Sequence, residues 1–177
     1  MSDTKPADSP RQMTPEEAAE FAEQVFNKAR EGDAAMLAAL LSKGLPANLR
    51  NHKGDTLLML ASYHGHVDAV KVLLEHKADP EVRNDNGQSP IAGAAFKGDL
   101  AVVKALIEGG AQVEGASFDG RTALMMAAMF NRTEIIDYLI SQSADPKAKD
   151  ANGITALDAA KTMGATDTVA QLEKLLG

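Results

Sequence analysis

Apolar and small residues recur along this chain with a fixed long period. Each segment of about 33 residues contains leucine–isoleucine positions that give a helix an apolar face and alanines at a constant register. A period of this length is typical of stacked structural units, each too small to bury its own core. The clearest matching positions are Leu58, Ile91, Leu124 and Leu157, and Ala61, Ala94, Ala127 and Ala160.

Each unit opens with a glycine, followed two positions later by a hydroxyl residue. Glycine permits the positive φ of a tight turn. The hydroxyl group is placed to cap a helix by accepting an unpaired backbone N–H. We therefore predict a unit of turn, helix, loop and second helix, with the alanines letting the next unit approach closely. The positions are Gly54, Gly87, Gly120 and Gly153 with Thr56, Ser89, Thr122 and Thr155.

The segment GDTLLMLASYHGHVDAVKVLLEHKADPEVRN, residues 54–84, resembles the repeat of the ankyrin family almost throughout. Three further copies follow, and the resemblance covers roughly residues 30–177. It implies an all-α ankyrin-repeat solenoid of about five helix-loop-helix repeats joined by β-turn-like loops. The family's Thr-Pro-Leu-His opening is altered to TLLM, SPIA, TALM and TALD. Because its histidine is missing, we expect less regular turn hydrogen bonding.

The ends of the chain differ from the inner repeats. Residues 1–13 are mostly polar and contain two prolines, which predicts a disordered tail. From Thr14 to Glu17 the chain has the pattern of a capping box, which predicts an early start for the first helix. The predicted ankyrin-repeat domain is 14–177, with repeats at approximately 14–51, 52–84, 85–117, 118–150 and 151–177.

Charge and composition narrow the classes of partner. The net charge of -7 and pI near 5.1 disfavour nucleic acid and favour a neutral or basic protein partner. No stretch approaches the roughly 20 apolar residues that cross a bilayer, and the N-terminus lacks the apolar core of a secretory signal. We therefore expect no membrane association, a cytoplasmic location and a monomer when free.

No constellation of catalytic residues stands out. The sequence has no cysteine, no glycine-rich phosphate loop and no nucleophile elbow, so we expect neither an enzyme nor a cofactor. His64 and His66 are the strongest metal candidates, but residues two apart at a helix end are expected to point in different directions. We therefore predict no metal site.

The resemblance implies a concave groove lined by the turn tips and by the two positions nine and ten residues after each repeat glycine. Four of the seven aromatic residues fall on these positions. Exposed aromatic side chains are frequent anchors of protein interfaces, although the same rings also suit packing between repeats, and both interpretations can hold. The candidate partner-binding residues are Lys53, Tyr63, His64, Phe96, Lys97, Phe118, Arg121, Met129 and Phe130.

These features favour a protein-protein interaction module: an adaptor, inhibitor or stabiliser that binds its partner through the concave groove. The alternative is a structural or assembly protein that self-associates or supports a larger complex. Light scattering distinguishes the two, because a monomer weakens the second hypothesis.

Overall fold

The computed structural model describes residues 11–177. In that part of the chain it contains ten α-helices arranged as five consecutive pairs, and no β-strand beyond three isolated bridges at the turns. The predicted all-α repeat solenoid is confirmed. The predicted disordered tail falls mainly on residues 1–10, which lie outside the described residues. The helices are α1 Pro15–Glu31, α2 Ala34–Ser42, α3 Leu57–Tyr63, α4 Val67–Glu75, α5 Pro90–Lys97, α6 Leu100–Glu108, α7 Ala123–Met129, α8 Thr133–Ser141, α9 Ala156–Met163 and α10 Thr166–Leu176.

The first helix of each pair begins at a hydroxyl cap, as predicted. In α3, for example, the Thr56 hydroxyl accepts the backbone N–H of Met59 at 3.1 Å. Ser89, Thr122 and Thr155 cap α5, α7 and α9 in the same way. The predicted capping box of α1 is also present: Thr14 accepts from the Glu17 N–H and the Glu17 carboxylate accepts from the Thr14 N–H. The local sequence thus determines where the first helix of each pair begins.

Two rows of helices build the solenoid. The first helices α1, α3, α5, α7 and α9 pack side by side, and the second helices α2, α4, α6, α8 and α10 form the row behind them. The four periodic alanines are completely buried, at 0% exposure. Their small size permits the close approach of neighbouring first helices. The buried leucines of the second row are Leu73, Leu106, Leu139 and Leu172.

The turn between repeats is organised by an Asn or Asp three residues before the repeat glycine. The Asn51 side-chain oxygen accepts the backbone N–H groups of Lys53 and Asp55, both at 2.9 Å. Asn84 and Asp150 do the same in their turns. Such side-chain bonds replace a backbone turn bond. The expected irregularity of the turns is therefore absent from these three copies.

The third turn has Ser117 where the others have Asn or Asp. There the Asp119 carboxylate accepts the Arg121 N–H at 3.2 Å, and the Ser117 hydroxyl donates to Asp119. The Ser117 hydrogen bond, followed by the Arg121 backbone bond, holds the pKa of the Asp119 carboxyl below its ordinary value. The irregularity expected from the sequence is confined to this turn.

Neighbouring turns are joined by one backbone hydrogen bond each. The Asp85 N–H donates to the Lys53 carbonyl at 3.0 Å, and the Ala151 N–H donates to the Asp119 carbonyl at 2.9 Å. At the junction between them, Phe118 N–H donates to the Gly87 carbonyl at 3.2 Å, one residue out of register with the other two. The turn tips are therefore fixed relative to each other.

A second set of links joins the loops that follow the second helices. The Glu81 carboxylate accepts the Gln112 N–H at 2.7 Å, and the Glu114 carboxylate accepts the Asp145 N–H at 2.8 Å. Asn48 makes the equivalent bond to Asp79 one repeat earlier. The second and third repeats, and likewise the third and fourth, are thus joined both at their turns and at these loops. In the segment 11–177, the helices are too short or too polar to traverse a lipid bilayer.

Candidate partner-binding groove

The candidate side chains from the first helices lie where those helices end. Tyr63 is the last residue of α3, Lys97 of α5 and Met129 of α7. Because these helices pack side by side, their last turns form one continuous surface. His64 and Phe130 follow as the C-cap residues of α3 and α7.

Tyr63 and Lys97 form the first contact across a repeat junction. The Lys97 ammonium nitrogen lies 4.7 Å from the centre of the Tyr63 ring, within the range of a cation–π interaction. The Tyr63 residue is 42% exposed and Lys97 is also exposed. Both side chains are therefore accessible while holding each other in place.

Phe96 and Phe130 form the equivalent contact at the next junction. Their ring centres are 4.7 Å apart and their planes meet at 88°, the edge-to-face arrangement that aromatic pairs favour. Both rings are half-buried, as is Met129. The alternative interpretation, packing between repeats, therefore applies to Phe96 and Phe130, which still present part of each ring to solvent.

The two contacts follow one rule: a side chain ten residues after one repeat glycine touches the side chain nine residues after the previous glycine. Tyr63, Lys97, Phe96 and Phe130 together are called the groove line below. Sequence alignment predicts a straight row along equivalent positions. The observed contacts are instead diagonal, and each joins position nine of one repeat to position ten of the next.

His64 and His66 do not point apart as expected. Their ring centres are 6.4 Å apart and their planes differ by 25°, because Gly65 between them has a φ of +78° and turns the chain. His64 is exposed, whereas the His66 Nε2 donates to the Arg30 carbonyl oxygen at 2.7 Å. One ring nitrogen of His66 is thereby occupied. Among residues 11–177 no cluster of three or more His, Cys, Asp or Glu is arranged to hold a metal ion.

Lys53, Phe118 and Arg121 lie in the turns, away from the helix ends. Phe118 is 68% exposed, and its ring lies beneath the Arg83 guanidinium, whose carbon is 5.4 Å from the ring centre. Arg121 pairs with the Asp119 carboxylate at 3.4 Å, so its charge is partly compensated within the chain. The structure thus groups Tyr63, His64 and Lys97, and separately Phe96 and Phe130, and leaves the turn residues as a second surface.

Comparison with known sequences gives the family. A sequence model of ankyrin repeats in three copies matches residues 25–117 and 94–174, which is most of the chain. The chain belongs to the ankyrin-repeat family. Ankyrin repeats are generally protein-protein interaction modules, and the family is typically not catalytic.

Several ankyrin proteins are similar over part of their length. An ankyrin repeat protein of Pseudomonas aeruginosa is 59% identical over 65 residues, covering 37% of this chain and 38% of the relative. The human ankyrin repeat domain-containing protein 29 is 42% identical over 60 residues, covering 33% of this chain and 20% of the relative. The mouse BRCA1-associated RING domain protein 1 is 50% identical over 40 residues, covering 23% of this chain and 5% of the relative. This ankyrin chain therefore spans well under half of each of these relatives.

Two side chains, His66 and Arg132, link the ends of neighbouring first helices between ankyrin repeats, and sequence reasoning missed the second of them. Arg132 donates to the Phe96 carbonyl oxygen at 3.1 Å, in the same relation as His66 to Arg30, each reaching back 36 residues. Both side chains satisfy a carbonyl at the end of the preceding first helix. Both residues stand twelve positions after a repeat glycine, so their shared position in the repeat was visible in the sequence. Arg132 thereby holds the end of α5, which carries Phe96 and Lys97, and His66 holds the end of α1.

Proposed function

We propose that this ankyrin chain binds a segment of a protein partner along its groove line. The observation that carries the proposal is the pair of diagonal contacts, Tyr63 with Lys97 and Phe96 with Phe130. Each contact fixes aromatic side chains before a partner arrives. Binding then loses little side-chain entropy, which raises affinity for a given buried area.

The surface has the composition of an interaction site. Tyrosine and phenylalanine bury large areas on association, and lysine at the edge adds electrostatic selectivity. Tyr63 in particular is exposed without being needed to fill the core. A partner segment lying across α3, α5 and α7 would cover all four side chains of the groove line. Whether the result is inhibition, stabilisation or bridging depends on the partner.

Site-specific photocrosslinking tests this proposal. The photoreactive residue p-benzoylphenylalanine is introduced at Tyr63, and in a matched variant at Tyr138, in the cells that make the protein. Tyr138 is a suitable control because it also lies beneath a lysine, with Lys104 Nζ 5.5 Å from its ring centre, but on the row of second helices. We expect a protein adduct from position 63 and none from 138. Adducts from 138 alone would contradict the proposal.

Self-association is the second candidate function, and the last repeat supports it. Ile154, Met163 and Leu175 are 38%, 49% and 45% exposed. Such residues are available for a contact between copies of the chain. Light scattering over a range of concentrations tests it. A constant monomer mass at high concentration would contradict self-association.

A further inference from the structure

One end of the groove line is surrounded by nitrogen-bearing side chains. His64 lies 5.4 Å from the Tyr63 ring centre and 6.4 Å from that of His66, and the Lys97 ammonium group covers the other side of Tyr63. Tyr63, His64 and Lys97 border an open cleft of about 390 Å³ between the ends of α3 and α5 and the start of α6, and His66 lies beside His64. His64, His66 and Lys97 are called the basic cluster below.

Two members of the basic cluster have no polar partner in the described part of the chain. The His64 imidazole and the Lys97 ammonium group are both exposed and make no side-chain hydrogen bond or ion pair with residues 11–177. Arg30, on the flank, differs because its guanidinium donates to the Glu23 carboxylate at 3.1 Å. The donors of His64 and Lys97 therefore remain free for a ligand.

Asp99 is the one acidic side chain bordering the cleft. One of its carboxylate oxygens accepts the Val102 N–H at 3.1 Å and so caps α6. Burial lowers the pKa of His64, and the positive charges of His66, Lys97 and Arg30 lower it further. Three basic side chains, His64, His66 and Lys97, thus lie in this cluster against the carboxylate of Asp99. Positive potential at this position favours a carboxylate ligand.

We propose that the partner segment bound at the groove line is acidic, with one carboxylate held between Lys97 and His64 beside the Tyr63 ring. This rests on the proposed function, because it names the chemistry of the same surface. The net charge of -7 led us to expect a neutral or basic partner, and this proposal is the opposite of that expectation. A contact responds to the local potential within about 8 Å at physiological salt, and the surplus acidic residues beyond that distance are screened.

A protein segment fits this site better than a nucleic acid. The basic cluster is confined to one end of the groove line, and the other end consists of the Phe96 and Phe130 rings. A phosphate backbone requires cations along its whole length, and the aromatic end of the groove line does not supply them. A protein segment with an acidic residue followed by apolar residues would place its carboxylate at the basic cluster and its apolar side chains on the Phe96 and Phe130 rings.

The four histidines allow a direct test by proton NMR of the full chain. The probe is the peptide acetyl-Glu-Glu-Tyr-Glu-Glu-amide at low salt, with the glutamine peptide of the same length as its control. A carboxylate beside an imidazole stabilises the protonated ring, so the glutamate peptide should raise the pKa of His64. His52 in a turn and His76 at the end of α4 lie outside the cluster and should not respond.

Matched lysine variants complete the test. Lys97→Met should weaken binding of the glutamate peptide about fivefold, the effect of losing one exposed ion pair at low salt. Lys53→Met removes an exposed lysine in a turn and should leave the affinity unchanged. Equal binding of the glutamine peptide, or an equal response of His52, would overturn the proposal.

Three further outcomes complete the test, and the last two separate this proposal from the one before it. A single-stranded oligonucleotide that raises the pKa of His64 at lower concentration than the glutamate peptide would overturn the choice of an acidic protein segment. If crosslinks form at Tyr63 while the acidic peptide fails to bind, the groove binds a partner of other chemistry. If both experiments fail, the groove line is not a binding surface.

Discussion

Alanine at Gly120 should destabilise the protein much more than alanine at Gly153. Both glycines occupy the same place in their turns, with φ of +79° and +77°. A side chain at either position meets the strain of the left-handed region. That strain costs about 1–2 kcal/mol, offset by about 0.4–1 kcal/mol from the smaller entropy of the unfolded chain. Gly153→Ala should therefore cost about 1 kcal/mol.

The surroundings of the two glycines differ. A Cβ atom at Gly153 would have no heavy atom within 4 Å, whereas one at Gly120 would lie 2.9 Å from the backbone nitrogen of Ala151 in the next turn. Backbone cannot rotate away as a side chain can. Gly120→Ala must therefore move the turn and strain the hydrogen bond from Ala151 to Asp119. Overpacking of this kind adds about 1–3 kcal/mol.

Urea unfolding followed by circular dichroism measures the difference. With a slope of about 1–3 kcal/mol per molar urea, Gly120→Ala should unfold at a midpoint lower than that of Gly153→Ala by about 1 M. The comparison requires equal slopes for the two variants. Equal midpoints would refute the claim that the turns are held in close backbone contact.

Three further changes test the interior and the groove line. Ser62→Ala should raise the free energy of unfolding by about 1 kcal/mol, because the buried Ser62 hydroxyl has no hydrogen-bond partner among residues 11–177, and an unchanged or lower melting temperature would contradict this. Ala127→Leu should lower the free energy of unfolding by about 1–3 kcal/mol, because Ala127 is completely buried between repeats. An unchanged urea midpoint would show that the repeats are loosely packed at this position. A double-mutant cycle of Phe96→Ala and Phe130→Ala should give a coupling energy of about 0.5–1.5 kcal/mol. If the effects of the two substitutions on the free energy of unfolding simply add, the two rings do not interact.

Much of the fold is predictable because each repeat reuses the same local chemistry. The caps at Thr56 and its equivalents, the turn glycines and the buried alanines all follow from residue types at a constant spacing. Helix type and order then follow without any knowledge of how neighbouring repeats are displaced. The early start of α1 was also predictable from the capping box at Thr14.

The arrangement of the groove side chains was not predictable in the same way. Alignment by period places Tyr63 beside Phe96, but the contact of Tyr63 is with Lys97, and that of Phe96 is with Phe130. Which side chains meet across a junction depends on how two neighbouring first helices pack together, and the residue types within one repeat do not specify this. The links made by Glu81 and Glu114 were missed for another reason, since a glutamate in a polar loop resembles an ordinary solvated residue.

The partner affinities of the Tyr63→Ala and Tyr138→Ala variants test the central claim, which is that the groove line is the partner-binding surface. Both tyrosines lie beneath a lysine, but on opposite rows of helices. Titration calorimetry with the partner identified by crosslinking gives the affinity, and thermal unfolding of the same preparations gives the stability. The account predicts that Tyr63→Ala keeps its melting temperature and loses about 2 kcal/mol of binding, roughly thirtyfold in affinity, while Tyr138→Ala binds normally. Full affinity of Tyr63→Ala together with a loss in Tyr138→Ala would contradict it.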